Sequence, residues 1–202
     1  MNWNTISKTA DDNLQVFVVF KFSDVSGSNI RDAIFGHDDD GWDRFVSLKN
    51  NALLISGVKD DDKSGSITIS TFPKDTNPLK TDRFCVLSVH WNNRGSTGCG
   101  ENNSSVWCNG KNLKSFTAGG VAGDKSFSIG VNGSLKYYPM KGEIGRFLVC
   151  GNRAHPMGEE EITIVHNYLM KEWQINEKGE KQGPAGPRGL PGPQGPRGIQ
   201  GP

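Results

Sequence analysis

Between residues 14 and 150 apolar and polar positions alternate in short runs divided by Asp, Asn, Gly and Ser. The runs 14–22 (LQVFVVFKF), 44–48 (RFVSL), 52–55 (ALLI), 66–71 (SITIST), 83–91 (RFCVLSVHW), 105–108 (SVWC), 126–131 (SFSIGV) and 143–150 (EIGRFLVC) are rich in β-branched and aromatic residues, as strands are. The residues between them are those that turns require. About ten strands at this spacing, with no helical stretch among them, predict an all-β antiparallel sandwich rather than βαβ units.

The period changes near residue 156. In 156–173 (PMGEEEITIVHNYLMKEW), Ile162, Val165, Leu169 and Trp173 share one helical face. Glu159, Glu160 and Glu161 fill the first turn and Lys171 lies near the end, both placements that complement the helix dipole. The spacing predicts a helix with its apolar face on the sandwich. Residues 176–182 (NEKGEKQ) carry no apolar side chain and read as a linker.

A third period follows. Gly183, Gly186, Gly189, Gly192, Gly195, Gly198 and Gly201 keep strict threefold register, with proline at most X positions. Only glycine fits at the axis where three polyproline-II-like strands meet, so this spacing is the chemical requirement for a collagen triple helix. A flexible Pro/Gly linker needs no such register. The segment would form a rod of at most roughly 60 Å, and only Pro191 occupies a Y position, where hydroxylation acts. Alone it is marginal, so the head or further triplets must help hold the chains together. The organisation expected is a head over 1–175, a linker over 176–182 and a collagen-like segment over 183–202. The finish on Gly201-Pro202, partway through a triplet, predicts that the sequence is a trimmed piece of something longer. The partner expected first is the chain itself, as a homotrimer. Three heads on one rod carry three copies of any site, which turns weak binding into avid binding where the spacing suits the target.

Four groups of residues carry a further likeness: a strand ending Ser88-Val-His-Trp91, the stretch Val106-Trp-Cys-Asn-Gly-Lys111, a strand opening Gly142-Glu-Ile144, and a closing Glu-Glu-x-x-x-Val-His-x-Tyr-Leu-x-Lys-x-Trp over 160–173. Together they resemble the laminin-G-like jelly rolls of the concanavalin A-like lectin and glucanase superfamily, over roughly residues 3 to 175. The resemblance implies two packed antiparallel sheets and binding through loops at one rim or on the concave face. It argues fold more than activity, since one fold hosts many functions. The glucanase branch places paired acids in a Glu-x-Asp-x-x-Glu arrangement, so that one carboxyl donates a proton while its neighbour attacks or stabilises. No such triplet occurs here. G-x-S-x-G, H-E-x-x-H and the phosphate-binding G-x-x-x-x-G-K-[ST] are also missing, and Asp124 interrupts the nearest approach to the last. The expectation is a protein that is not an enzyme.

The densest polar cluster is 35–45 (FGHDDDGWDRF), a loop between two short strands. Asp38, Asp40 and Asp43 offer hard oxygens to Ca²⁺, and Trp42 offers a flat face to a sugar ring. The order is not that of an EF-hand, and a solvated acidic loop with Trp42 and Phe45 turned inward competes with it. The ligand-contact candidates are His37, Asp38, Asp39 and Trp42 in this loop, with Asn92 and Arg94 in a second loop over 92–104. Lys59-Asp-Asp-Asp-Lys63 is another acidic turn and reads as solvated. His90, Trp91 and Trp107 could form a recognition patch, but aromatics in such strands more often supply core.

Cys85, Cys99, Cys108 and Cys150 allow three pairings if all are oxidised, and Cys108 with either Cys85 or Cys99 suits the hairpin they flank. Buried thiols on strands are the competing reading. Neither C-x₂-C nor H-x₃₋₅-H is present for zinc. The 202 residues include 23 basic and 22 acidic side chains, a net charge of +1, so no broad field exists to hold nucleic acid or an anionic membrane. No run is long and apolar enough to cross a bilayer, and the first residues lack a signal-peptide core. Asn102, Asn103 and Asn132 head N-x-S triplets that accept glycans in a secretory pathway.

The function expected is that of a structural or adhesive protein, extracellular or on a virion. Its collagen-stalked heads would recognise glycans or glycoproteins through rim loops. The alternative is a ligand-free cap that trimerises and sets the register of a collagenous fibre.

Overall fold

The computed structural model of the chain describes residues 2–3, 13–24, 32–36, 44–60, 63–73, 77–81, 83–92, 104–118, 127–130, 138–153 and 157–175. In chain order they form β1 (Asn2–Trp3), β2 (Asn13–Phe22), β3 (Asp32–Gly36), β4 (Phe45–Lys49), β5 (Ala52–Asp60), β6 (Lys63–Ile69), β7 (Cys85–Trp91), β8 (Ser104–Cys108), β9 (Lys111–Phe116), β10 (Phe127–Ile129), β11 (Tyr138–Pro139), β12 (Gly142–Arg153) and α1 (Glu159–Glu172). Two sheets result. The first runs β1-β10-β3-β4-β5-β6, with β11 beside β3, and the second runs β12-β2-β7-β8-β9. All pairings are antiparallel except the short β11 on β3.

β2 shows why the layers stack as they do. Leu14, Val16, Val18, Phe20 and Phe22 point into the core between the sheets, while Phe17 and Val19 point the other way, under α1. The strand is covered on both faces and therefore reads as an almost unbroken apolar run. Its neighbour β7 repeats the division. Cys85, Leu87, Val89 and Trp91 face the core between the sheets, and Val86 joins Phe84 beneath the helix. The molecule is thus three layers deep: sheet, sheet, helix.

The sequence pattern anticipates the long strands and the helix. It gives no strand at β1, β9 or β11, starts the 35–45 loop two residues early because Phe35 and Gly36 end the short strand β3, and stops β5 short. β9 reads Lys-Asn-Leu-Lys-Ser-Phe and lies at the edge of its sheet with most side chains exposed, so it lacks the apolar face that announces a strand. It is fixed instead by its turn. Asn109 and Gly110, with φ of 47° and 75°, bring Cys108 opposite Lys111 in a two-residue hairpin whose positive φ values match strand twist. Asn50 and Asn51 do the same between β4 and β5. The acidic 59–63 turn proves to be the tip of the β5–β6 hairpin, where Asp60 faces Lys63 in register.

α1 begins after Gly158, whose N–H donates to the Glu161 carboxylate at 3.1 Å. Ile162 and Leu169 are buried as the periodicity predicts, and Val165 and Trp173 are partly buried; His166 and Met170 join the buried face.

Candidate functional site

The strand registers bring the feet of the two candidate loops together. Segment 37–43 leaves β3 at Gly36 and returns at Arg44, and segment 93–103 joins β7 to β8. Trp91, the last residue of β7, packs edge-on against Phe35 of β3 at 6.4 Å between ring centres. Its indole N–H donates to the Ser56 carbonyl of β5 at 2.9 Å. Arg44 and the Trp91 indole meet over Gly57, where a Cβ would lie 3.0 Å from each, and the φ of +79° there also favours glycine. At Gly36 a Cβ would lie 2.4 Å from the Arg44 carbonyl, so the first loop is pinched shut at its base. Arg44 and Trp91 are wholly buried. The end of the β5–β6 hairpin lies beyond Gly57 on the same side, so the feet of three loops share one end of the sandwich, here called the rim.

Asn92 forms the foot of the second loop. Its N–H donates to Ser104 Oγ at 3.0 Å, and Gln15 Nε2 donates to its side-chain oxygen at 3.5 Å. With only 6% of its surface exposed, Asn92 braces the loop from below rather than reaching outward as the sequence reading expects. His37, Asp38, Asp39, Asp40, Trp42, Asp43, Arg94, Cys99 and the tail glycines lie outside the described residues.

His90, Trp91 and Trp107 are buried, so the packing reading of these residues holds. One of them belongs to a cluster the sequence does not announce. Ser88 Oγ lies 2.8 Å from His166 Nε2 and 2.8 Å from His90 Nε2, and the Gly110 N–H donates to His166 Nδ1 at 3.1 Å. The last bond fixes the His166 tautomer. Its Nδ1 accepts, so the proton sits on Nε2 and is donated to Ser88 Oγ, which also bonds His90 Nε2; the other His90 nitrogen, Nδ1, is buried without a partner. Burial pushes both imidazoles down to about 3, His90 with a further push from His166, so both are neutral near pH 7. A serine between two imidazoles resembles a nucleophile and its base, but all three are fully buried under α1 and the edge of Phe17. The arrangement latches the helix to the sheet. The signal was present in β7, whose Ser88 and His90 alternate with apolar Leu87 and Val89, and in His166, four residues after buried Ile162.

Cys85, Cys108 and Cys150 are thiols, so no bridge joins any two of them in this structure. Cys85 and Cys108 face each other in the core, and burial first, then the Cys108 thiol, push the Cys85 thiol well up. Such a thiol is a weak nucleophile.

The helix ends away from the rim. His166 sits beside Ser88 near the middle of β7, and Trp173 packs on Phe84 just before the start of that strand, 5.5 Å between ring centres. α1 therefore runs back along β7, and the chain leaves it at the end of the sandwich opposite Trp91.

This geometry defines a two-sheet β-sandwich with a helix across one sheet. Solved structures share the overall fold. The chain superposes on the CBM40 domain of the Ruminococcus gnavus IT-sialidase bound to α2,3-sialyllactose with a TM-score of 0.52 at 10% identity, covering 82% of this chain and 92% of that one. It matches the receptor-binding domain of botulinum neurotoxin mosaic serotype C/D at 0.54 and 16% identity, over 84% of this chain and 39% of that one. A structure of botulinum neurotoxin type C, whose cell entry depends on interaction with two ganglioside molecules, matches at 0.50 and 15%, with 84% of this chain and 39% of that one covered. At these identities the likeness establishes the fold alone, a two-sheet β-sandwich. No family model and no curated protein matches the chain.

Proposed function

We propose that the chain is a non-catalytic adhesive protein whose head, residues 1–175, recognises glycans or glycoproteins through the rim. Three heads are carried on a collagen-like stalk formed by 183–202 after a linker at 176–182. The observation that carries this reading is the opposition of rim and helix end: the feet of the two candidate loops lie at one end of the sandwich, and α1 finishes at the other. A stalk so attached holds the rim outward, which suits a protein working outside the cell or on a virion. The neighbours add support, since the bacterial domain holds sialyllactose and the type C toxin engages gangliosides.

In this reading His37, Asp38, Asp39, Trp42 and Arg94 meet the ligand, with Trp42 stacking on a sugar ring, and Asn92 holds the second loop in place. Asp38, Asp40 and Asp43 supply carboxylate oxygens of the kind Ca²⁺ prefers. A glycan array probed with the intact chain tests it, with and without calcium. Binding that falls when Trp42→Ala is introduced supports the rim; silence on every glycan, with the trimer intact, favours the fibre cap. Binding unchanged by chelation removes the metal while leaving the rim.

A further inference from the structure

Two large apolar side chains on α1 face water. Ile164 is 60% exposed and Tyr168 56% exposed, one turn apart, between Glu160 and Glu161 at one end and Lys171 at the other. The helix does not need them for its own docking, which Ile162, His166, Leu169 and Met170 already supply. A single exposed apolar residue is ordinary, but two stacked at i and i+4 form a strip.

The position of the strip in the chain says what covers it. Only residues 176–182 separate the end of the head from the first glycine of the repeat, a reach of about 25 Å at full extension. A head of this size is about 40 Å across. Three chains joined in one triple helix therefore hold their α1 ends within a head's width of a common axis. The helix also points the right way. From His166 to Trp173 it advances about 10 Å while β7 covers about 13 Å between Ser88 and Phe84, so α1 lies nearly along the strands. The exposed side of α1 is thus the surface each head can turn toward its companions.

We propose that the Ile164–Tyr168 strip is the head-to-head contact of the trimer, its occupant being the same strip on the other two copies of this chain. The inference rests on the collagen-stalk reading. Two side chains per head are far less than a stable free-standing interface buries, so the contact is weak alone and fills through the high local concentration that the tether imposes. The charged Glu160, Glu161 and Lys171 stay at the exposed ends of the strip, where solvent screens the repulsion between their counterparts on neighbouring heads.

The test uses the intact chain with a photoreactive residue, Tyr168→benzoylphenylalanine, against a control at Thr68→benzoylphenylalanine on the edge strand β6 of the other sheet. Sedimentation and the circular dichroism of the repeat are read first. A monomer with no triple helix defeats the stalk reading itself. Given a trimer, crosslinking between heads from position 168 well above that from position 68, and lost on adding Ile164→Asp, is the expected result. A trimer that crosslinks equally from both positions, or whose yield from 168 survives Ile164→Asp, overturns the contact and leaves the stalk standing. Because residue 164 faces solvent, the aspartate should leave the fold of each head unchanged, which thermal melting of the head verifies.

Discussion

The rim and the face beneath α1 meet on β7, and they differ in what their buried polar residues hold in place. Under α1, His90, Ser88 and His166 are sealed from water, each imidazole neutral and aimed at a neighbour, so their chemistry is spent on holding one layer to the next. At the rim the buried residues are Trp91, Arg44 and Asn92, which hold the feet of the loops in place. Dense polar chemistry inside a fold is therefore no sign of a reactive site. The rigid base of a loop cluster is the better guide, because binding residues on loops depend on a scaffold that fixes where they start.

Trp91 carries the largest expected effect. Its indole joins β7 to β5 and supports both loop feet, so Trp91→Ala removes core area and the base of the rim together. The expected loss is about 3–5 kcal/mol of unfolding free energy, measured by denaturant titration. A loss below about 1 kcal/mol would show that the rim has no such base.

Acid separates the two regions next. His90 and His166 have folded values lowered to about 3 from 6.5, so the neutral forms stabilise the fold above pH 6.5 and that contribution is lost as pH falls toward 3. Between pH 7 and 5 the loss is about 2 kcal/mol per histidine. Urea unfolding followed across this range should show the fall, and His166→Gln should reduce its slope by about one proton. The rim offers no comparable buried imidazole among the described residues.

Ser88→Ala is milder. It removes the hydroxyl shared by both imidazoles and leaves the His166 N–H and His90 Nε2 without their partner, an expected cost of about 1–3 kcal/mol. Hydrogen exchange should then quicken in α1 before it quickens in β2, since the serine ties the helix rather than the sheets.

These effects follow the line between what the sequence discloses and what it hides. The alternation in 14–22 and the spacing of Ile162, Val165, Leu169 and Trp173 are local, so the strands and the helix stand out. β9 does not, because an exposed edge strand needs no apolar side. The meeting of His166 with Ser88, 78 residues apart, depends on where the helix docks. The same is true of the rim: Trp91 reaches Ser56 across 35 residues, a contact set by the packing of two sheets that no single segment records. The loop candidates were visible from composition, yet the assignment of Asn92 to their base required the bond from Gln15.

The smallest effect belongs to the outer edge of the helix. Arg146 of β12 donates to Glu172 of α1 at 3.2 Å, but the two side chains are 46% and 34% exposed, so water and salt screen the attraction. Exposed pairs contribute about 0–1 kcal/mol, and Glu172→Gln should lower stability by no more than about 0.5 kcal/mol, with the difference vanishing in high salt. If the latch under α1 carries the docking of the helix, this charge pair is dispensable while Ser88 is not. Denaturant titrations of Glu172→Gln, Ser88→Ala and the double variant decide the matter. Independent contributions from opposite sides of the helix should add, and a charge variant that matched the serine variant would move the anchor of α1 from the buried hydroxyl to the surface.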